Sequence, residues 1–260
     1  MNRNVRLGDQ IPRRIVSLVP SITELLFELG LKERVVACTK FCIHPHAETS
    51  KLKKIGGTKN IDVDAIIELN PDLVIGNKEE NTYDDIHKLS PTVPVWMSDV
   101  NTLQDALDMI QEIGMITGTA QKASEIHKRI EYSFSNSSQT ENTSVVYLIW
   151  NQPIMAAASN TFINAMLEHA GFENLVGHQS RYPELTLEEL RHLSPQVLML
   201  STEPFPFKKQ HVDFFSDHLP ETKVIVVDGT YFSWYGSRML EAADYFSTLG
   251  NVITKPVINS

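Results

Sequence analysis

The same phrase occurs twice in this chain. Residues 61–75 read Ile-Asp-Val-Asp-Ala-Ile-Ile-Glu-Leu-Asn-Pro-Asp-Leu-Val-Ile, and residues 185–199 read Leu-Thr-Leu-Glu-Glu-Leu-Arg-His-Leu-Ser-Pro-Gln-Val-Leu-Met. Each copy has a capping residue, Asp62 or Thr186, ahead of a helix with one apolar face. Pro71 and Pro195 then end the helix, because proline lacks the N–H and clashes with the preceding turn. A run of buried-strand residues follows. One αβ unit in each half predicts two similar lobes, with ligands held in a cleft between them. Chance recurrence is the alternative, since helix, proline and strand often follow one another in α/β chains. The match in length and register favours the repeat.

A chain of 260 residues can bury one large core or two of roughly 110–130 residues. The net charge of −9 argues against a nucleic-acid surface, which needs a basic stripe. An acidic patch facing a basic protein partner stays open. No run approaches the ~18 apolar residues of a membrane helix. Met1 to Arg14 is polar, with four arginines and no apolar h-region, so no secretory signal is read in it. That leaves three possibilities: a cytoplasmic chain, a trimmed one, or a start farther upstream.

Between the two copies the periodicity changes. Strands are predicted at 14–19, 35–37, 73–76 and 93–96 in the first half, and at 145–150, 197–200 and 224–227 in the second. Helices are predicted from Pro20–Ser21 to Leu29, stopped by Gly30, from Asn160 to Ala170, stopped by Gly171, and from about Ser237 to Leu249. Strands separated by helices imply mainly parallel sheets covered on both faces. From 102 to 135 only helical spacing is found, with Gly114 and Gly118 expected to break or bend it. Residues 136–144 read as a polar loop. The predicted architecture is two α/β lobes, 1–101 and 144–260, joined by a helical bridge over 102–143.

Ile15–Glu24, Gly56-Gly57-Thr58-Lys59, Asn70–Val74 and Phe232-Ser233-Trp234-Tyr235-Gly236-Ser237 together resemble the helical-backbone class of substrate-binding proteins of ABC importers. The likeness is to its cobalamin-binding branch, which is related to receptors for ferric siderophores and haem, and it runs from about Arg14 to Leu249. It implies two α/β lobes joined by a long rigid helix and a metal chelate in the cleft. The partners it implies are that small-molecule chelate and an ABC permease with basic docking residues. The chain itself would be a monomer with no cofactor of its own, placed in the periplasm or at the cell surface. It also implies one surface glutamate per lobe that docks on the permease. Repeat register places these at Glu79 and Glu203, each eight residues after its proline, whereas the family phrase favours Glu80 over Glu79.

The aromatics Phe41, Trp150, Tyr182, Trp234 and Tyr235 fall after predicted strands or in loops, where an α/β sheet holds its ligand. Flat rings suit a macrocycle because they bury area at little entropic cost. Lobe packing is the bland reading for each, and Trp96 is assigned to it. Pro20 and Ser21 open a helix directly after a strand, so its free N–H groups could hold an acidic ligand group. A simple N-cap by Ser21 explains the same residue. Thr58 and Lys59 supply a turn with one cation.

Among the nine histidines, His44-Pro45-His46 lacks a companion carboxylate or cysteine set at ligand spacing, and His87, His127, His192 and His211 read as surface residues. Direct metal coordination is not expected, although His178 or His44 could be an axial ligand to a chelated metal. Cys38 and Cys42 read as free, buried thiols rather than a disulfide or zinc site. Val19-Pro20-Ser21-Ile22-Thr23 lacks the glycines of a nucleophile elbow, and no phosphate-binding glycine motif occurs. The expectation is a non-enzymatic binding protein for a corrinoid, with a ferric siderophore or haem as the alternative ligand. A cytoplasmic α/β enzyme or corrinoid-handling protein is the alternative of another class.

Overall fold

A computed structural model of the chain describes residues 11–136 and 142–254. Most of the polar N-terminal stretch, and residues 137–141 of the loop expected at 136–144, lie outside the described residues. The described backbone divides into two compact units. The first holds residues 11–100, 104–130 and 235–238, and the second holds 101–103, 131–136, 142–234 and 239–254.

In chain order the first unit contains β1 (Ile15–Ser17), α1 (Pro20–Glu28), β2 (Val35–Cys38), α2 (His46–Thr49), β3 (Lys53–Lys54), β4 (Gly56–Gly57), β5 (Asn60–Ile61), α3 (Val63–Glu68), β6 (Leu73–Asn77), α4 (Tyr83–Leu89) and β7 (Val95–Ser98). Its five-stranded sheet has the order β3-β2-β1-β6-β7, and every pairing is parallel. Strands covered on both faces should be apolar throughout, and β1 and β6 are buried at every residue. Gly30 closes α1 at φ 83, as read from the sequence.

The predicted helical bridge is two helices, α5 (Leu103–Thr117) and α6 (Ala120–Ser135). Gly118, at φ 72, ends α5. Gly114 does not break the run as expected but sits inside α5. A Cβ there would lie 2.3 Å from the Cβ of Ala123, so the missing side chain lets α6 approach. The passage from the first unit to the second falls within α6, at Ile130 and Glu131.

The second unit continues with β8 (Thr143–Trp150), β9 (Ile154–Ala156), α7 (Phe162–His169), β10 (Phe172–Asn174), β11 (Glu184–Leu185), α8 (Leu187–Leu193), β12 (Val197–Ser201), α9 (Lys209–His218), β13 (Lys223–Val227), α10 (Thr230–Ser233) and α11 (Met239–Thr254). Its sheet runs β11-β9-β8-β12-β13, with β10 beside the start of β8. The pairings of β8, β12 and β13 are parallel, while β9 is antiparallel to both β8 and β11. These short antiparallel pieces, and helices α4 and α9, are additions to the expected pattern. The core includes Val146, Leu148, Leu190, Leu198, Leu200 and Phe215.

The repeat is real in three dimensions. Asp62 Oδ1 accepts from the N–H of Ala65 at 3.0 Å, and Thr186 Oγ1 accepts from that of Glu189 at 3.1 Å in a full capping box. The residues before the two prolines, Asn70 and Ser194, are both left-handed, at φ 45 and φ 46. Asparagine tolerates that region, whereas for serine it costs on the order of 1 kcal/mol. Ser194→Asn is therefore expected to raise stability by about 0.5–1 kcal/mol, read as a higher urea midpoint at unchanged slope. An unchanged midpoint would mean that the exposed Ser194 hydroxyl compensates the strain.

Candidate functional site

In a parallel sheet, loops at the carboxyl ends of the strands carry the ligand groups. Most of the residues singled out in the sequence lie at or shortly after such strand ends. In the first unit, β1 leads through Leu18 and Val19 into α1. The N-cap is Val19, extended at φ −133 and ψ 131, with Pro20 at the first helical position and no capping side chain. The alternative that Ser21 caps the helix is thus corrected: Ser21 is buried in the first turn, and the Thr23 hydroxyl returns to the Val19 carbonyl at 2.9 Å. Phe41, in the turn after β2, is 51% exposed, with Lys40 Nζ 5.1 Å from its ring centre. Thr58 is buried and Lys59 exposed in the β4–β5 turn. Gly56 makes that turn possible at φ 90, since a Cβ would stand 2.4 Å from the Asn60 carbonyl oxygen.

After β6 the chain folds back on two asparagines that sequence reasoning did not single out. Asn77, buried, accepts the N–H groups of Glu79 and Glu80 on its Oδ1 at 2.8 and 3.2 Å. Asn81 accepts the N–H of Asn77 at 2.9 Å and donates to the Thr58 carbonyl at 3.0 Å. Lys59 Nζ donates to the Glu79 carbonyl. The loop with Thr58 and Lys59 and the loop with Glu79 and Glu80 are therefore one hydrogen-bonded piece. Both glutamates are half-buried in this turn, less open than a surface glutamate would be.

The second unit repeats this construction. Ser201 ends β12 six residues after Pro195, as Asn77 ends β6 six residues after Pro71. Ser201 Oγ accepts the N–H of Glu203 at 3.2 Å and the hydroxyl of fully buried Tyr147 at 3.0 Å. In both copies a polar side chain at the strand end holds the backbone of the glutamate two positions on. This correspondence pairs Glu203 with Glu79, while Glu80 shares only the weaker of the Asn77 contacts. The repeat register was the available signal for Asn77 and Ser201.

Glu203 is not a bare surface carboxylate. Its Oε1 accepts the Trp234 indole N–H at 2.7 Å and also the Ser233 hydroxyl. Trp234 is 8% exposed and Tyr235 6%, so the adjacent aromatics are covered by the fold itself. Trp150, at the end of β8, is 39% exposed. Its indole N–H donates to the Gln152 carbonyl at 3.0 Å, and its ring meets Phe205 edge-on at 5.6 Å. Tyr182 is half-buried under the Arg181 guanidinium, 5.4 Å from the ring centre. Arg181 is fixed by the Asn160 carbonyl at 2.8 Å. Of the predicted ligand residues, Pro20, Ser21, Phe41, Thr58, Lys59 and Tyr235 belong to the first unit, and Trp150, Tyr182 and Trp234 to the second. Trp96 is core.

A depression of about 610 Å³ lies within the second unit, lined by Asn151, Gln152, Pro153, Ile154, Gln210, His211 and Phe214. It adjoins Trp150 in sequence but includes none of the predicted ligand residues. His211 there caps α9, its Nδ1 accepting the Lys208 N–H at 2.9 Å. His178 has the opposite arrangement. Its Nδ1 faces the Leu175 carbonyl at 3.1 Å and must donate, so the exposed ring offers an Nε2 lone pair. His44 is exposed and His127 half-buried. Among the described residues no group of three or more His, Cys, Asp or Glu side chains is placed to hold a metal ion, and no helix is long and apolar enough to cross a membrane.

Two mainly parallel sheets, each carrying polar and aromatic loops at the carboxyl ends of its strands, define a binding protein of the periplasmic type. The chain belongs to the periplasmic binding protein family, whose profile matches residues 15–223. It is 24% identical over 258 residues to a vitamin B12-binding protein of Pectobacterium carotovorum, covering 90% of this chain and 86% of that one. It is 28% identical over 257 residues to an uncharacterized ABC transporter substrate-binding lipoprotein, YvrC, of Bacillus subtilis, covering 94% and 81%. In fold it matches the crystal structure of the periplasmic vitamin B12-binding protein BtuF of Vibrio cholerae, with a TM-score of 0.79 at 20% identity over 94% of this chain and 99% of that one. It likewise matches the periplasmic heme-binding protein RhuT of Roseiflexus, with a TM-score of 0.81 at 22% identity over 93% and 97%.

Proposed function

We propose that this chain is the substrate-binding component of an ABC importer and that it captures a metal chelate, a corrinoid above all. The observation that carries the reading is the match, along nearly the whole length, to relatives named vitamin B12-binding proteins. The site geometry supports it. Phe41 and Trp150 present large, partly exposed rings at the carboxyl ends of the two sheets, and Thr58 and Lys59 add polar groups on a braced turn. Such rings bind a flat macrocycle by area, and the few polar groups orient it. The chain does no chemistry on its ligand and acts outside the cytoplasmic membrane. Glu79 and Glu203 are the permease-docking carboxylates, because they occupy equivalent places in the repeat. Carboxylate–guanidinium pairs are geometrically selective and steer association.

A second ligand class, haem or a ferric siderophore, is favoured by the Arg181–Tyr182 pair, a cation stacked on a phenol ring. His178 is the axial-ligand candidate for a chelated metal, on the strength of its tautomer.

Tryptophan fluorescence separates these readings. Cobalamin at micromolar concentration is expected to quench emission, and Trp150→Phe should remove much of that quenching. Quenching by haem or a ferric hydroxamate, with none by cobalamin, would move the assignment to the second class. Silence with all three would overturn the chelate reading.

A further inference from the structure

The two cysteines form a polar cluster that ligand capture does not use. Cys38 ends β2, and Cys42 follows the turn Thr39-Lys40-Phe41, its N–H donating to the Thr39 carbonyl at 3.1 Å. Both are free and buried. Lys54 reaches in from β3 and places its Nζ 3.2 Å from Cys38 Sγ and 3.0 Å from the Cys42 carbonyl oxygen. Thr23 Oγ1 lies 3.1 Å from Cys42 Sγ, and Thr39 Oγ1 lies 3.2 Å from it. An inert core thiol packs against carbon, whereas Cys38 Sγ meets an ammonium and Cys42 Sγ meets two hydroxyls. Reactive cysteines sit in such electropositive, hydrogen-bonding surroundings.

We propose that Cys38 and Cys42 are a reactive dithiol that closes to an intrachain disulfide by exchange with small-molecule disulfides, Cys42 attacking and Cys38 resolving. The Cys42 thiolate attacks one sulfur of the reagent, whose S–S bond breaks and whose first half leaves as a thiolate. Cys38 then loses its proton to water and attacks Cys42 Sγ, expelling the second half. Two protein thiols are oxidised, and one disulfide is reduced to two thiols.

Two hydroxyls, Thr23 and Thr39, face Cys42 Sγ, whereas the Lys54 ammonium faces Cys38 Sγ. Burial alone pushes the Cys42 thiol up, but hydrogen bonds with Cys38, Thr23 and Thr39 outweigh it and bring it to about 7. Cys38 is pushed well above its ordinary range by its hydrogen bond to Cys42 and by burial, with Lys54 opposing. The pair holds one shared proton more readily than none. Access needs only a local opening, because Phe41 and Ile43 on either side of Cys42 are more than half exposed. Closing the bridge would tighten the three-residue turn that carries Phe41.

The test uses the reduced full chain treated with oxidised glutathione, followed by intact mass and peptide mapping. The expected result is a mass lower by two hydrogens and a Cys38–Cys42 bridged peptide. Cys38→Ser should stop at a stable glutathione adduct on Cys42, and Cys42→Ser should take none in the same time. Lys54→Met should slow the second step, so that the adduct accumulates. Alkylation of Cys42 by iodoacetamide should show a pH midpoint below that of an ordinary thiol. Thiols that remain unmodified until the chain is denatured, or adducts forming equally on both single variants, would overturn the proposal. The wild-type mass decides it even if a variant fails to fold, and the outcome is independent of which chelate is bound.

Discussion

Glu203→Ala is expected to lower the stability of the chain by about 2–3 kcal/mol, the usual loss when a buried donor is left without its charged acceptor. The donor is the Trp234 indole N–H, 2.7 Å from the carboxylate in a residue only 8% exposed. The Ser233 hydroxyl would keep its bond to the Gly229 carbonyl at 2.9 Å, so the penalty falls mainly on the tryptophan. For a chain of this size the loss corresponds to a melting temperature lower by roughly 5–10 °C. Emission from Trp234 should shift to longer wavelength as water replaces the carboxylate. Glu203→Gln keeps an oxygen acceptor and removes the charge, so it should retain most of the stability while weakening any contact with permease arginines. If alanine and glutamine are equally harmless to folding, the indole bond contributes nothing and Trp234 is held by packing alone. A double-mutant cycle with Trp234→Phe measures that coupling directly.

Asn81→Ala is expected to cost about 2–4 kcal/mol, because it leaves the buried N–H of Asn77 and the Thr58 carbonyl without their partner. The effect should not be confined to one loop. Asn81 ties the turn with Thr58 and Lys59 to the turn with Glu79 and Glu80, so both should loosen together. Amide hydrogen exchange reads this: protection at 57–59 and at 78–80 should fall in parallel. Loosening of only the 78–80 turn would show that the Asn81–Thr58 bond does not carry the coupling. Chelate affinity is expected to fall with the order of the Lys59 turn, since an ordered turn avoids the entropy of fixing it on binding.

Much of the architecture could be read in the chain because it rests on local chemistry. The caps at Asp62 and Thr186, the breaks at Pro71 and Pro195, and the stop at Gly30 act within a few residues, and each stands where it was read. The apolar runs that became β1, β6, β8 and β12 announce strands buried on both faces. The short edge pieces β9 to β11 were missed because two or three residues carry no periodicity. Gly114 was misread because its reason is not local: it makes room for Ala123 on another helix.

The site was legible by position more than by role. Pro20, Phe41 and Trp150 stand at the strand ends where they were expected, and Thr58 and Lys59 stand in a turn, the one between β4 and β5. Which atoms are engaged was not readable, because hydrogen bonds join residues far apart in sequence, as Trp234 and Glu203 or Asn81 and Thr58 show. A pattern of residue types says that a glutamate follows each repeated strand. It does not say that Asn77 and Ser201 hold those glutamates by their backbone, or that an indole has already claimed one carboxylate.

The sequence by itself therefore determined the repeated αβ unit and the mainly parallel sheets, since these follow from short-range propensity and apolar burial, while the family was legible only through the resemblance of its motif phrases. Only the tertiary structure decided that Asn77 and Ser201 hold the backbones of Glu79 and Glu203, that Trp234 is covered, and that an ammonium reaches Cys38 while two hydroxyls reach Cys42. Those facts depend on directional contacts, which exist only once the chain has folded.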